Sequence, residues 1–247
     1  MTACSGPRIV RFACVAVATL AGACITSTPE PLGGGGAKSP SASSAVGPSL
    51  SECVSGAVDD LEDGNSQIIT NEGRGGYWYS YSDSFGTTVT PEDEFVPSPG
   101  GANGSAKAAH ISGKTGDRKN VWAGMAFALA NPKGPYDASK YKGISFWAKR
   151  GGKSTDLLYF RLPDVNTTPD GGVCKDCFND FAANVKLTPN WKKYTFAFDG
   201  LKQEPGWGEP RAHITPSKIY ELQWQIKTRN VDFDVWIDDI KLVGCEQ

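Results

Sequence analysis

One stretch near the end of the chain, residues 233 to 242, constrains the fold more than any other. Apolar residues alternate with Asp and Trp from Phe233 to Asp238, which is the period of a β-strand with one buried face. The apolar pattern resumes one position late at Ile240, so that Asp239 takes the inward phase. The shift predicts a β-bulge at Asp238 and Asp239, and a carboxylate aimed inward that needs a partner.

The candidate partners lie at the other end of the domain, in the acidic run from 59 to 63. In an extended segment, Asp60 and Glu62 share one face. Calcium takes six to eight oxygen ligands, and a shared cation would compensate buried carboxylates. We therefore predict that the first and last strands meet and hold a structural Ca²⁺ ion through Asp60, Glu62 and Asp239. The alternative is that these acids lie at solvated turns.

Between these ends the chain is rich in turn residues and aromatics, with 29 Gly, 16 Pro and 11% Phe, Trp and Tyr. No long segment keeps helical periodicity, and short strands without intervening helices are typical of a sandwich or jelly roll. The formal net charge of -2 implies no strong attraction to nucleic acid or anionic lipid. We predict an all-β, two-sheet antiparallel β-sandwich. Its strands are expected at 58–61, 76–81, 106–111, 122–129, 143–149, 157–162, 183–187, 191–198, 221–227 and 233–242.

The first 23 residues predict an export signal, with a basic start and an apolar stretch from Phe12 to Leu20 that is too short to span a bilayer. The segment that follows, Leu-Ala-Gly-Ala-Cys24, resembles the lipobox of bacterial lipoproteins, although Leu20 lies one position further from Cys24 than is usual. The same residues also form an ordinary A-x-A cleavage site. We predict a protein anchored in the cell envelope through lipidated Cys24, with a secreted soluble protein as the alternative.

Residues 24 to 52 consist mainly of Gly, Ser, Thr, Pro and Ala, and such a segment buries too little apolar surface to offset its ordering entropy. We predict a flexible tether there, followed by a single domain from 53 to 247.

The cysteine count agrees with lipidation, since five cysteines follow the signal and modifying Cys24 leaves an even four. Cys53 and Cys245 flank the first and last strands, so we predict a disulfide between them. For Cys174 and Cys177 we predict a local disulfide. The alternative of a redox motif or half of a metal site is weaker, because the chain has no second C-x-x-C and only two histidines.

The domain resembles carbohydrate-binding modules of the galactose-binding-like jelly-roll group, and family 11 modules most closely. The resemblance spans about 53 to 243 and rests on four motifs, at 59–63, 75–79, 143–148 and 236–240. It implies a two-sheet sandwich, a structural calcium ion near the paired terminal strands, and a concave face that binds glucan-like chains through aromatic rings and polar groups.

Side chains on the outward phase of the strands are the candidates for sugar contact, because a pyranose offers an apolar C–H face to a ring and hydroxyls to amides and Arg. If the strands at 144–149, 158–162 and 222–226 share a sheet, that face presents Tyr79, Trp147, Tyr159, Arg161, Gln223 and Gln225. We expect four further aromatics to fill the core or its edges, namely Trp122, Trp191, Trp224 and Trp236. The pattern leaves both placements open for Tyr77, Trp78 and Tyr81.

The function that follows is non-catalytic binding of a β-glucan-like polysaccharide, either to hold glycan at the cell surface or to recruit a separate glycoside hydrolase. No nucleic-acid partner is expected, and the membrane is contacted through the lipid anchor only. An enzyme is the first alternative, because two carboxylates could hydrolyse a glycoside and a loop carries Asp164, Asp170, Asp176 and Asp180. A surface for protein interaction is the second.

Overall fold

The computed structural model describes residues 50–92 and 94–245. The predicted signal peptide, Cys24 and nearly all of the predicted tether lie outside the described residues. The helical segments of the described part are three short 3₁₀ turns. No helix in these residues could span a bilayer. The strands are β1 Glu52–Asp59, β2 Trp78–Ser82, β3 Thr88–Thr90, β4 Ser98–Pro99, β5 Lys107–Lys114, β6 Ala123–Ala128, β7 Gly143–Arg150, β8 Leu157–Leu162, β9 Phe181–Lys186, β10 Lys192–Ala197, β11 Glu221–Ile226 and β12 Asp232–Val243.

The strands form two antiparallel sheets. The seven-stranded sheet has the order β10-β7-β12-β5-β3, with β1 paired to β12 and β4 paired to β5, and the five-stranded sheet has the order β2-β6-β11-β8-β9. The predicted all-β sandwich is confirmed. The first strand was predicted too late, because the 58–61 pattern covers only the end of β1, and the short β3 and β4 were not predicted at all.

Trp224 of β11 is the centre of the core between the sheets and is 0% exposed. Its ring stacks on Trp78 with centroids 5.4 Å apart and meets the edge of Phe146 at 5.4 Å, while Phe127 and Phe160 lie at 5.7 and 5.6 Å. Phe146 belongs to the seven-stranded sheet, so this one side chain joins both layers. The residues that the alternation assigns to the core are all buried: Ile144, Phe146, Ala148, Leu158, Phe160, Leu162, Leu222, Trp224 and Ile226.

The last strand, β12, contains the predicted bulge, since its pairing with β7 shifts between Asp238 and Lys241. Asp239 adopts a left-handed backbone conformation with φ of 49°. The expectation that Asp239 points inward is wrong, because it is only half-buried, whereas Asp238 is fully buried. Asp238 accepts hydrogen bonds from the backbone N–H of Ala102 at 2.6 Å and of Asp239 at 2.7 Å. Because the bulge interrupts the alternation, the inward carboxylate is Asp238 rather than its neighbour Asp239, and the sequence pattern alone could not show this.

The first and last strands meet as predicted, with Ala57 opposite Lys241 and Asp59 opposite Ile240. The predicted disulfide between Cys53 and Cys245 joins their outer ends, with Cα atoms 5.8 Å apart. The terminal strands are therefore connected both by backbone hydrogen bonds and by a covalent bond.

Asp59, the last residue of β1, is a carboxylate buried beside the core. One of its oxygens accepts a hydrogen bond from Trp78 Nε1 at 2.6 Å and the other from the Leu61 N–H at 3.0 Å. Burial raises the pKa of Asp59 to about 7, although both hydrogen bonds favour the ionised form and partly offset the rise.

Removing the disulfide between the terminal strands is expected to lower the free energy of unfolding. On the chain-entropy model, closing so long a loop contributes up to ~5 kcal/mol, against ~2 kcal/mol for the four-residue loop of Cys174 and Cys177. We expect Cys53→Ser with Cys245→Ser to lower the unfolding free energy in urea more than Cys174→Ser with Cys177→Ser does. Equal losses, or a greater loss in the second pair, would contradict this ranking.

Asp59 is expected to make stability depend on pH. Between its ordinary pKa and about 7, the folded carboxyl keeps a proton that the unfolded chain has released, so the free energy of unfolding falls as pH rises. The slope from this one group is at most about 1.4 kcal/mol per pH unit. Urea titrations from pH 5 to 8 should give a flatter profile for Asp59→Asn than for the wild type. A wild-type slope in Asp59→Asn would refute this assignment.

Candidate functional site

The outer face of the five-stranded sheet forms the floor of a cleft of about 1090 Å³, which we call the cleft. The shape of the cleft depends on β6, whose residues on this face are small: Gly124, Ala126 and Ala128. The register places Tyr79 of β2 beside Ala126 and Tyr81 beside Gly124. A Cβ on Gly124 would lie 2.7 Å from the Tyr81 hydroxyl. The small residues therefore leave room for two tyrosine rings on the floor.

The neighbouring strands β11 and β8 supply polar groups to the same floor. Gln223 pairs with Arg161, and Gln225 pairs with Tyr159. Because Trp224 points into the core, strand alternation directs Gln223 and Gln225 to the cleft. The floor thus combines rings, amides and a guanidinium.

A lysine joins two carboxylates at one part of the cleft. Lys133 Nζ contacts Asp170 at 2.7 Å and Glu221 at 2.5 Å. Glu221 also accepts hydrogen bonds from the Tyr79 hydroxyl at 2.8 Å and from Gln223 Nε2 at 2.7 Å. Burial alone would lower the pKa of Lys133, but its hydrogen bonds to both carboxylates outweigh burial and raise it. Burial, reinforced by Glu221, raises the pKa of Tyr79, so its hydroxyl remains a neutral donor.

Arg161 and Asp180 form a buried ion pair through Nη2 and Oδ2. The same Nη2 donates to the carbonyl of Phe178 at 2.7 Å. Within the described part of the chain, Nε and Nη1 of Arg161 have no protein partner, and the residue lines the cleft. A rigidly held guanidinium therefore keeps N–H donors for a ligand.

Two loops pack together as a wall of the cleft. Asn179 Nδ2 donates to the carbonyls of Glu204 at 2.8 Å and Trp207 at 2.7 Å, and the Gly208 N–H donates to Asp176 at 3.0 Å. The predicted disulfide between Cys174 and Cys177 is present in the first of these loops, with Cα atoms 5.3 Å apart. The C-x-x-C motif thus braces the segment that leads into the cleft.

Five of the six predicted sugar-contact residues line the cleft, namely Tyr79, Tyr159, Arg161, Gln223 and Gln225. The assumption that placed Trp147 with them is wrong, because β7 belongs to the seven-stranded sheet. There Trp147 lies opposite Asp238 of β12 and Lys193 of β10. Strand periodicity correctly predicted that Trp147 faces outward. It faces outward from the seven-stranded sheet, however, and not from the sheet that forms the cleft.

The aromatic rim of the cleft was missed from the sequence. Trp122, expected in the core or at its edge, is 38% exposed and lines the cleft, as does Trp207, which is 44% exposed. Phe178 is also exposed there and has a left-handed backbone conformation with φ of 75°. Trp122 precedes Gly124 by two residues, so the alternation of β6 could have placed it on this face. Trp207 and Phe178 lie in loops, where no period applies.

The remaining aromatics divide between core and surface. Trp224 and Trp78 are buried in the core, while Trp191 and Trp236 are half-buried and flank Lys149 Nζ at 4.7 and 4.8 Å from their ring centroids. Tyr77 is exposed.

Comparison with solved structures places this geometry in a known fold. A family 11 carbohydrate-binding module from Clostridium thermocellum, in complex with a β-1,3-1,4-mixed-linked tetrasaccharide, is 18% identical with a TM-score of 0.54, over 78% of this chain and 96% of that chain. The chain shares the fold of carbohydrate-binding modules. The family 11 module of a cellulosomal cellulase of Clostridium thermocellum is 16% identical with a TM-score of 0.54, over 81% of this chain and 98% of that one.

A family 30 carbohydrate-binding module is 17% identical with a TM-score of 0.51, over 74% of this chain and 96% of that chain. No protein-family model and no curated protein matches the chain. The similarity to solved structures therefore establishes the fold.

The predicted calcium ligands Asp60, Glu62 and Asp239 are not gathered into a cluster of acidic side chains in the described part of the chain. Across residues 50–92 and 94–245, no group of three or more His, Cys, Asp or Glu side chains could hold an ion. Asp60 is exposed and accepts the Glu62 N–H at 3.3 Å. Glu62 Oε1 already accepts three hydrogen bonds, from the Ser105 hydroxyl and the N–H groups of Ala106 and Lys107. Bound calcium stays a prediction.

Thermal melting tests that prediction directly. An ion that binds only the folded state raises the melting temperature, so a structural Ca²⁺ requires a higher value in calcium than in chelator. Magnesium at the same concentration controls for ionic strength. Equal melting temperatures in calcium and chelator would contradict a structural calcium ion.

Proposed function

We propose that this protein binds a neutral, β-glucan-like polysaccharide without cleaving it, in the cleft of the five-stranded sheet. The observation that carries the proposal is the composition of that cleft. Tyrosine rings, glutamine amides and a fixed guanidinium form its floor, and Trp122 and Trp207 stand exposed at its margins. Rings can contact the apolar face of a pyranose, while the amides and Arg161 exchange hydrogen bonds with its hydroxyls.

The charges of the cleft favour a neutral glycan. Each of the four carboxylates that line it, Asp170, Asp180, Glu204 and Glu221, contacts a cation of the cleft. Four cationic side chains also line the cleft, so its formal charges balance and no cluster of one sign is left to attract a uronate or a sulfated sugar.

The matched charges also argue against glycoside hydrolysis. Asp170 and Glu221 contact one ammonium, so their oxygens are close enough for a retaining pair. Lys133 Nζ, however, occupies the space between them, where the glycosidic bond would have to lie. Asp164, another acid of that loop, is buried and accepts the N–H groups of Asn166 at 2.9 Å and Thr215 at 2.8 Å. Asp176 binds the Gly208 N–H at the loop wall.

We place the protein outside the cytoplasm, anchored in the cell envelope through Cys24, where it would hold glycan or recruit a separate glycoside hydrolase. The two disulfides support an oxidising compartment. A secreted soluble form is the alternative to lipid anchoring. A protein-interaction surface is the alternative to glycan binding, and the polar floor beneath an aromatic rim favours the glycan.

The aromatic rim tests the proposed function with a matched control on the opposite sheet. We expect Trp207→Ala and Trp122→Ala each to weaken binding of mixed-linkage β-glucan roughly tenfold, because each loses a ring that a pyranose can contact. Trp147→Ala removes a tryptophan from the other face and should bind as the wild type does. Affinity electrophoresis and isothermal titration measure the change, with melting curves to verify folding.

Two results would overturn the proposed function. One is failure of the wild-type protein to bind any neutral glycan on an array, and the other is equal loss of affinity in Trp147→Ala and Trp207→Ala. Release of reducing ends from β-glucan by the wild type would replace binding with hydrolysis.

A further inference from the structure

Tyr159 lies on the cleft floor yet presents little of its ring. It projects from β8 into the row that it shares with Gln225, and it lines the cleft. Nevertheless, it is only 8% exposed. Something covers the ring.

The cover is the ammonium of Lys227. Its Nζ lies 3.6 Å from the centroid of the Tyr159 ring, which is close for a cation–π contact. Lys227 directly follows β11 and continues the outward phase of Gln223 and Gln225, so the strand itself delivers the side chain to the cleft. The Lys227 side chain remains 37% exposed, which leaves it a path into solvent.

A second segment holds this lysine in place. Glu204, in the loop that forms the cleft wall, pairs with Lys227 Nζ through Oε1. Its other oxygen accepts the indole N–H of Trp207 at 3.4 Å. The cover on Tyr159 and the exposed rim tryptophan are thus connected through one carboxylate.

The surroundings of Lys227 disfavour its charged form. Burial, and then the positive charge of Arg161, lower the pKa of Lys227. Arg161 is buried with its partner Asp180, whereas Lys227 pairs with a carboxylate on an exposed loop and has a path into solvent.

We propose that Lys227, held by Glu204, is a displaceable cap on the Tyr159 ring, and that exchanging this cap for a pyranose sets the affinity of the cleft for glycan. The inference rests on the proposed function, since the incoming group is a sugar ring. Stacking on Tyr159 requires the lysine to leave that face, because an ammonium and a pyranose cannot occupy it together. Lys227 is then a residue that controls access rather than a direct ligand.

Binding measurements with single and double variants test the exchange. We expect Lys227→Ala to bind a mixed-linkage β-glucan oligosaccharide about tenfold more tightly than the wild type, the size of a partly desolvated cation–π contact. Lys192→Ala, which removes a lysine that lies over the Tyr194 ring on the opposite sheet, should leave the affinity unchanged. With Tyr159→Ala in the background, removing Lys227 should give no gain. Weaker or unchanged binding in Lys227→Ala would overturn the proposal, and weaker binding would make Lys227 a sugar ligand.

A measurement without ligand separates failure of the cap from failure of the proposed function. Hydroxyl-radical footprinting, read by mass spectrometry of peptides, reports ring accessibility. We expect faster oxidation of Tyr159 in Lys227→Ala and in Glu204→Gln, with the exposed Tyr77 as an unchanged reference. Unchanged oxidation of Tyr159 would overturn the cap whether or not a glycan binds. Faster oxidation in a protein that binds no glycan would support the cap and reject the proposed function.

Discussion

The packing of Trp224 between the two sheets is the contact on which the rest of the structure depends. Its ring meets Trp78, Phe127 and Phe160 within its own sheet and the edge of Phe146 from the other. Burial of so large a side chain fixes the phase of β11, because a slip of one residue would move it to solvent. The same contact therefore sets the cleft: with Trp224 inward, the amides on either side of it must face outward.

The seven-stranded sheet, which contains the first and last strands, is held together by other interactions. The long strand β12 pairs with β7, β5 and β1 in turn, and the bulge at Asp238 and Asp239 lets one strand change its register between partners. The disulfide between Cys53 and Cys245 then ties the terminal strands together. None of these features lies on the face that forms the cleft. The sandwich thus separates the layer that closes the chain from the layer that carries the candidate site.

Strand periodicity predicted which face each residue occupies, but not which sheet. Trp147 and Tyr159 have equivalent outward phases in sequence, yet β7 and β8 lie in different layers. Sheet membership depends on pairings between residues far apart in the chain, which a local period does not encode. The same limit explains Asp239, since phase is lost across a bulge, and Trp207, since a loop has no phase. Disulfide pairing was predictable because the strands at the two ends of the domain are neighbours.

The cations of the cleft differ in how firmly they are held, and that difference determines which of them can take part in recognition. Lys133 is bound by two carboxylates, and Arg161 is buried with its partner Asp180. Each would leave a buried charge unpaired if it moved, which is costly. Lys227 has one carboxylate partner at an exposed loop and a ring beneath it. Of these three cations it loses least by moving to water, so a change of shape in the cleft on binding should begin at Lys227.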